Sequence, residues 1–408
     1  MHTPDEAWQI LCRELAPLPA DSLPLSTALG HYLAAPLRAD RDIPAADRAA
    51  MDGFAVRALD LEALPAQLRV IGEAAAGRPC PLTLAAGTAI RIFTGANIPA
   101  GADTVVPVEQ TALGRFDGAA ADAVTIAQPL PRGANIFRQG ENARSGQQLL
   151  PAGSGLGPCQ AGVAAACGHA RISVHRLPRV ALLQTGTELL PVSAAVAEPH
   201  HVRDSNGPTL EAALIDAGIP VVQRTTVADE RPATAAAIAR ALQQAEVVLL
   251  TGGVSVGQYD HVAGALADLG ARLHYHGVAI KPGKPQLFAT LAGGGAVFGL
   301  PGNPLSAIIG LYELVLPALR LLAGCPADAC RPLLQLPLTE ALTPDRKRQR
   351  IIAARLAPGA VTGAAPLPVV GSADLVTAAL AEGAILIPPG TAPVAIGTPV
   401  AFRLWRSR

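Results

Sequence analysis

From about residue 179 to 323, short unbroken apolar runs alternate with longer stretches of helical spacing. Val180-Ala181-Leu182-Leu183 and Val247-Val248-Leu249-Leu250 contain no polar position, the pattern of strands buried on both faces rather than one. Further strands are predicted at 219–227, 273–280 and 296–300, and helices at 209–217, 232–244, 260–269 and 304–322. Pro232 suits a first helical turn, and Asn303 is the expected N-cap of the last helix. Repeated strand–helix units imply a doubly wound, mostly parallel sheet. Residues 1–21 read as an amphipathic helix carrying Asp5, Glu6 and Glu14, which does not suit a secretory signal.

The flanks follow another pattern. Between 43 and 132, short β-like runs at 68–70, 89–93, 104–108 and 123–126 are punctuated by Gly and Pro, as in a small β-rich domain. Residues 135–174 are Gly-rich and irregular and are expected to connect modules. After Cys325-Pro326 the runs at 333–338, 350–356, 384–387 and 398–404 suggest a C-terminal β barrel or sandwich. The expected architecture is multidomain α/β plus β. Its domains are a doubly wound domain (1–19 and 175–325), a discontinuous linker (20–43 and 135–174), a small β domain (44–134) and a C-terminal β domain (326–408).

At 408 residues the chain is long enough for several cores. Lys+Arg and Asp+Glu each total 32, so the basic excess of a sequence-independent nucleic-acid binder is missing. Lys347, Arg348 and Arg350 are too few for a nucleic-acid tail. No uninterrupted run of about 18 apolar residues suggests a membrane span. The cysteines at 12, 80, 159, 167, 325 and 330 form no C-x-x-C pair, and the expectation is a cytoplasmic protein with reduced thiols. His274 and His276 read as core or surface residues and not as a metal site.

Composition matters most at lysine. The chain has 29 arginines and three lysines, and two of the three, Lys281 and Lys284, stand in one Lys-Pro-Gly-Lys-Pro loop. A compact ammonium on a flexible stem differs from a planar guanidinium fork, and close lysine pairs commonly grip oxyanions. Other motifs fall where predicted strands end: Thr185-Gly186-Thr187-Glu188, Thr251-Gly252-Gly253-Val254-Ser255 with Asp260 beyond it, and Pro301-Gly302-Asn303-Pro304-Leu305-Ser306. Ligands of open α/β sheets bind outside the carboxyl ends of the strands, so these loops are expected to meet at one crevice. Gly252 and Gly253 would let backbone N–H groups approach a phosphate, and Ser255 adds a hydroxyl. Glu188, Asp229 and Asp260 supply carboxylates. Acids and ammonium groups together suggest a Mg²⁺-bridged phosphate ester. Each motif alone has a plainer reading: Asp260 also suits a helix cap, Glu188 a solvated loop acid, and the lysines solvated charges.

In order along the chain, these motifs resemble the molybdopterin molybdenumtransferase family (MoeA, similar to the gephyrin E domain). Met51-Asp52-Gly53-Phe54-Ala55, Ile92-Phe93-Thr94-Gly95-Ala96, Thr185 to Leu189, Asp204-Ser205-Asn206, Gly252 to Asp260, the lysine loop and Leu300-Pro301-Gly302-Asn303-Pro304 carry the resemblance. It implies an elongated homodimer and a Mg²⁺-dependent reaction of adenylylated molybdopterin with molybdate that releases AMP. A molybdopterin adenylyltransferase is the implied upstream partner. It implies a polar cleft of Asp52, Thr94, Glu188, Asp229 and Asp260, with Glu188 and Asp260 at the metal and Asp52 contributed by the partner subunit. Gly252, Gly253, Ser255, Lys281, Lys284, Asn303, Ser306, Arg350 and Ser372 are the implied binding set for substrate and oxyanion.

One stretch departs from the family's usual N-[IV]-R-x-x-G-E-D. Here it is Asn135-Ile136-Phe137-Arg138-Gln139-Gly140-Glu141-Asn142, so Phe137 stands in place of an Arg and Asn142 in place of an Asp. Loss of one cation and one anion fits a compensated pair. It also fits a non-catalytic homologue that binds molybdopterin without inserting metal. A nucleotide-handling hydrolase sharing the doubly wound domain is disfavoured, because the match continues into the flanks.

Overall fold

The computed structural model describes residues 1–116, 122–194, 198–254 and 261–405. The chain forms two compact units, one of Met1–Ala35, Gly153–Pro158 and Arg171–Arg408, the other of Pro36–Ala152 and Cys159–Ala170.

The first unit contains a six-stranded mixed sheet in the order Val221–Val227, Val180–Thr185, Val247–Thr251, Ala296–Leu300, Leu287–Thr290, Arg272–His276. The first four strands are parallel, and the last two join antiparallel. Successive side chains of a strand face opposite ways, and the apolar runs show it. Val180, Leu182, Val247 and Leu249 face the core shared with the helices Asn206–Asp216 and 304–322, whereas Ala181, Leu183, Val248 and Leu250 face that of Arg231–Ala241 and Val262–Asp268. Helix Pro4–Glu14 packs Ala7, Ile10 and Leu11 into the first of these cores, and Thr3 and Glu6 close a capping box at its start. The helix over 304–322 is long and apolar enough to pass for a membrane span, but 89% of its most apolar stretch is buried inside the unit.

The expected strand at 273–280 is two strands. Gly277 adopts φ +107, a conformation L side chains rarely take, and breaks the run. Arg272–His276 stays in the mixed sheet, while Ile280–Lys281 pairs in parallel with Gln349–Ala357 in a second sheet. The lysine loop therefore does not follow a strand of the mixed sheet, as the sequence pattern suggested. Strand Leu287–Thr290, unforeseen from the pattern, turns into Ala296–Leu300 through Gly294 and Gly295, both at positive φ.

The second sheet of this unit runs Ile280–Lys281, Gln349–Ala357, Gly383–Ile387, Pro399–Leu404, Leu334–Pro337, with Gly363–Pro366 also paired to Gln349–Ala357. Ile352, Ile385, Ile387 and Phe402 lie in its own core.

The other unit is built on a five-stranded sheet in the order Thr104–Pro107, Gly53–Val56, Thr88–Ile92, Ala66–Ala74, Ala123–Ile126. Gly53 is required there, since a Cβ would overlap the carbonyl oxygen of Val106. The stretch expected to be irregular holds helix Pro158–Ala166, masked in the sequence by Gly162.

Candidate active site

Strand ends of the mixed sheet build an acidic cavity of about 680 Å³, with Thr185, Glu188, Asp204, Asp229, Gly252 and Asn303 in its wall. Glu188 folds back over the turn before it: a Cβ on Gly186 would stand 2.7 Å from both of its carboxylate oxygens. Gly252 (φ +87) and Gly253 (φ +61) make the opposing turn, and a Cβ on Gly252 would overlap the carbonyl of Thr185. The Cβ position of Gly253 lies 3.7 Å from Asp229 Oδ1, so this backbone sits directly against a carboxylate. Asn206 Nδ2 donates to the carbonyl of Gly302 at 2.7 Å and fixes the Pro-Gly-Asn-Pro loop. Of the residues expected here, Ser255 and Asp260 lie outside the described residues.

A second cavity of about 520 Å³ is cationic. Lys281, Lys284, Arg348 and Arg350 line it, with Ser306 and Ser372. Lys281 and Arg350 are register partners in the short parallel pairing, which sets two cations side by side although 69 residues separate them in sequence. Ser306 N donates to the carbonyl of Ser372 at 3.3 Å, and Asn303 Nδ2 to Ser372 Oγ at 2.8 Å. Arg350 Nη1 donates to the Thr343 carbonyl. Lys281 Nζ donates to Asp345 Oδ2 at 3.1 Å. The Lys347 N–H and then the Lys281 ammonium hold the Asp345 carboxyl well below the usual carboxylate range.

The two cavities adjoin. Pro285, Pro301 and Asn303 line both. The single expected crevice is thus an acidic chamber and a cationic chamber with a shared wall.

Asp52 and Thr94 belong to the other unit. Asp52 Oδ1 accepts from both Thr94 N and Thr94 Oγ1 at 2.7 Å, and these bonds, the backbone one foremost, hold its carboxyl below the ordinary range. Both residues are exposed. In the departing stretch, Phe137 is half-exposed and Asn142 exposed. Arg138 Nη1 is bound to Asp47 Oδ2 at 2.7 Å, so the cation one place along is already paired.

Among the described residues, no group of three or more His, Cys, Asp or Glu is gathered into a ready metal cage. His274 is a core residue, stacked on Phe288 at 5.0 Å with its ring nitrogen 2.8 Å from Thr290 Oγ1. The six cysteines are unpaired to one another. Sequence reasoning gave no site role to Arg348 or Asp345, and named Asn206 only as part of the Asp204-Ser205-Asn206 motif. Arg348 and Arg350 alternate along the approach to a strand, a period-two signal that could have placed both on one face. Asp345 had no local signal.

The MoeA N-terminal region (domain I and II) matches residues 2–168, a probable molybdopterin binding domain matches 181–321, and the MoeA C-terminal region (domain IV) matches 335–405. The molybdopterin molybdenumtransferase of Synechococcus elongatus is 36% identical over 407 residues, covering 97% of this chain and 98% of that protein. Molybdopterin molybdenumtransferase 2 of Mycobacterium tuberculosis is 36% identical over 386 residues, covering 92% and 93%. The crystal structure of the molybdopterin biosynthesis MoeA protein from Pyrococcus horikoshii superposes with a TM-score of 0.78 at 28% identity, covering 100% of this chain and 99% of that one.

Proposed function

The chain belongs to the molybdopterin molybdenumtransferase family, and on that premise we propose that it inserts molybdenum from molybdate into adenylylated molybdopterin, with Mg²⁺ bound and AMP released. The observation that carries this reading is the shared wall: carboxylates line one cavity and cations the other, with Pro285, Pro301 and Asn303 lining both.

The residues present fit Mg²⁺ in donor chemistry. It takes oxygen ligands and keeps several waters, so one or two carboxylates plus substrate phosphates suffice. Glu188 and Asp229 supply those carboxylates, and Asp260 is assigned with them. When bound, the ion would neutralise phosphate charge and polarise the bond that breaks. The Gly252 N–H is bound to the Leu300 carbonyl at 3.3 Å, so of the two glycines Gly253 is assigned to meet a phosphate through its backbone N–H. Lys281, Lys284, Arg348 and Arg350 hold the oxyanion, with the Ser306 and Ser372 hydroxyls fixing its orientation. Asp52 and Thr94 are assigned to the same reaction as the contribution of a second copy of the chain in a homodimer. A molybdopterin adenylyltransferase would supply the substrate.

The test is an insertion assay with adenylylated molybdopterin, molybdate and Mg²⁺, following AMP. Stoichiometric AMP and metal-loaded product are expected; AMP no faster than without protein would reject the reading. One observation favours a second reading, a binder without insertion activity. Phe137 and Asn142 remove a cation and an anion, and Arg138 is committed to Asp47. That reading predicts tight retention of the adenylate with no AMP.

A further inference from the structure

The cationic cavity is held from behind by a residue that stands outside its lining. Asp345 Oδ1 accepts from the backbone N–H groups of Lys347 and Arg348, both at 3.0 Å. Its other oxygen, Oδ2, accepts from Lys281 Nζ at 3.1 Å and lies 3.6 Å from Arg348 Nη2. One carboxylate therefore fixes the loop before strand Gln349–Ala357 with one oxygen and gathers two cavity cations with the other. Both lysines are exposed, but Lys284 has no ion-pair partner among the described residues.

We propose that Asp345 is a positioning residue for oxyanion binding, holding the Lys281 ammonium at the cavity rim. This rests on the oxyanion-binding role given above to that cavity. An ammonium carries three N–H donors. With one engaged by Asp345, the remaining two are left for the ligand, on a stem whose rotamers this contact restricts. Such preorganised donors bind better than free ones, because the ordering cost is met before the ligand arrives. Asp345 also offsets part of the charge of the two cations it touches, Lys281 and Arg348. Removing Asp345 thus has two opposed effects: looser geometry weakens binding, and greater net positive charge strengthens it. The double contact, to backbone and to side chain, makes geometry the larger effect.

The experiment measures molybdate binding directly by calorimetry on the full chain, for the parent, Asp345→Asn, Lys281→Met and the double variant. Asparagine keeps an oxygen for the Lys347 and Arg348 N–H groups, so the loop should hold and the melting temperature should stay put. Asp345→Asn is expected to weaken molybdate binding about threefold to tenfold, the size of coupling between contacting charged groups. On the Lys281→Met background the same change should alter the dissociation constant less than about twofold, because the side-chain hydrogen bond runs to Lys281, whereas the Arg348 contact at 3.6 Å is longer than a hydrogen bond. Unchanged or tighter binding by Asp345→Asn overturns the proposal. So does a weakening that persists without Lys281, or a fall in melting temperature with no change in binding. If the parent itself binds no molybdate, the oxyanion reading of the cavity fails and this inference fails with it. Parent binding with an indifferent Asp345→Asn removes this inference alone.

Discussion

Asn303 occupies the expected N-cap position of the long core helix, but its side chain makes no capping bond; its Nδ2 donates instead to Ser372 Oγ at 2.8 Å. The bond ties the Pro-Gly-Asn-Pro loop of the mixed sheet to a segment of the C-terminal region, at the wall both cavities share. Asn303→Ala should cost about 0.5–1.5 kcal/mol of stability, the net value of an ordinary hydrogen bond. Its effect on ligands should be broader than that of any cation, because the wall serves both chambers. Calorimetry should show weaker binding of molybdate and of the adenylate together. Loss of one affinity alone would mean that the tie does not couple the chambers.

Lys284 is the member of the lysine pair without an ion-pair partner among the described residues. Lys284→Ala should weaken molybdate binding by about one to two orders of magnitude, as expected for losing a hydrogen bond of about 1.5–3 kcal/mol to a charged group. Titrations at rising ionic strength should show a shallower salt dependence than the parent, since one screened charge is gone. Lys284→Arg should restore the salt slope but not the full affinity, because a planar fork does not reproduce a point charge on a flexible stem.

Much of this site was legible because its parts sit in short, ordered motifs at strand ends. The runs at Val180 and Val247 gave central strands, and the loops after them fell where an open sheet binds ligands. Failures occurred where chain distant in sequence decides the structure. Ile280–Lys281 reads as the end of one strand until Gly277 turns the chain and Gln349–Ala357 captures it. Gly363–Pro366 has no side-chain pattern, being a strand only because Gln349–Ala357 offers an edge. Asp345 gains its meaning from Lys281, 64 residues away. Local periodicity carries none of these closures.

The buried pair Glu313–Arg403 gives a stability test away from the site. Glu313 Oε1 accepts from Arg403 Nε at 2.6 Å, with side chains only 2% and 5% exposed. Removing one partner strands the other charge in a dry interior, at about 3–5 kcal/mol. Glu313→Gln or Arg403→Met alone should therefore lower the urea midpoint sharply. Replacing both by apolar residues of similar volume should recover most of the loss. A double variant as unstable as the sum of the singles would show that the two groups are not coupled.

Thr94 controls the ionisation of Asp52 through two hydrogen bonds to one carboxylate oxygen. Both favour the charged form, so the Asp52 carboxyl titrates below its ordinary range in the folded chain. A depressed folded pKa adds stability above the unfolded pKa, and that contribution is lost as pH falls through the folded one. Thr94→Ala deletes the hydroxyl bond but leaves the backbone N–H, so Asp52 should move part of the way back up. Carboxyl ¹³C shifts followed across the acid range should show the Asp52 midpoint rising in the variant, with the acid limb of unfolding moving to higher pH alongside it. At neutral pH both forms keep Asp52 ionised, and stability there should differ only by the lost hydroxyl bond. A midpoint that stays fixed in Thr94→Ala would mean that the backbone N–H alone sets the charge of Asp52.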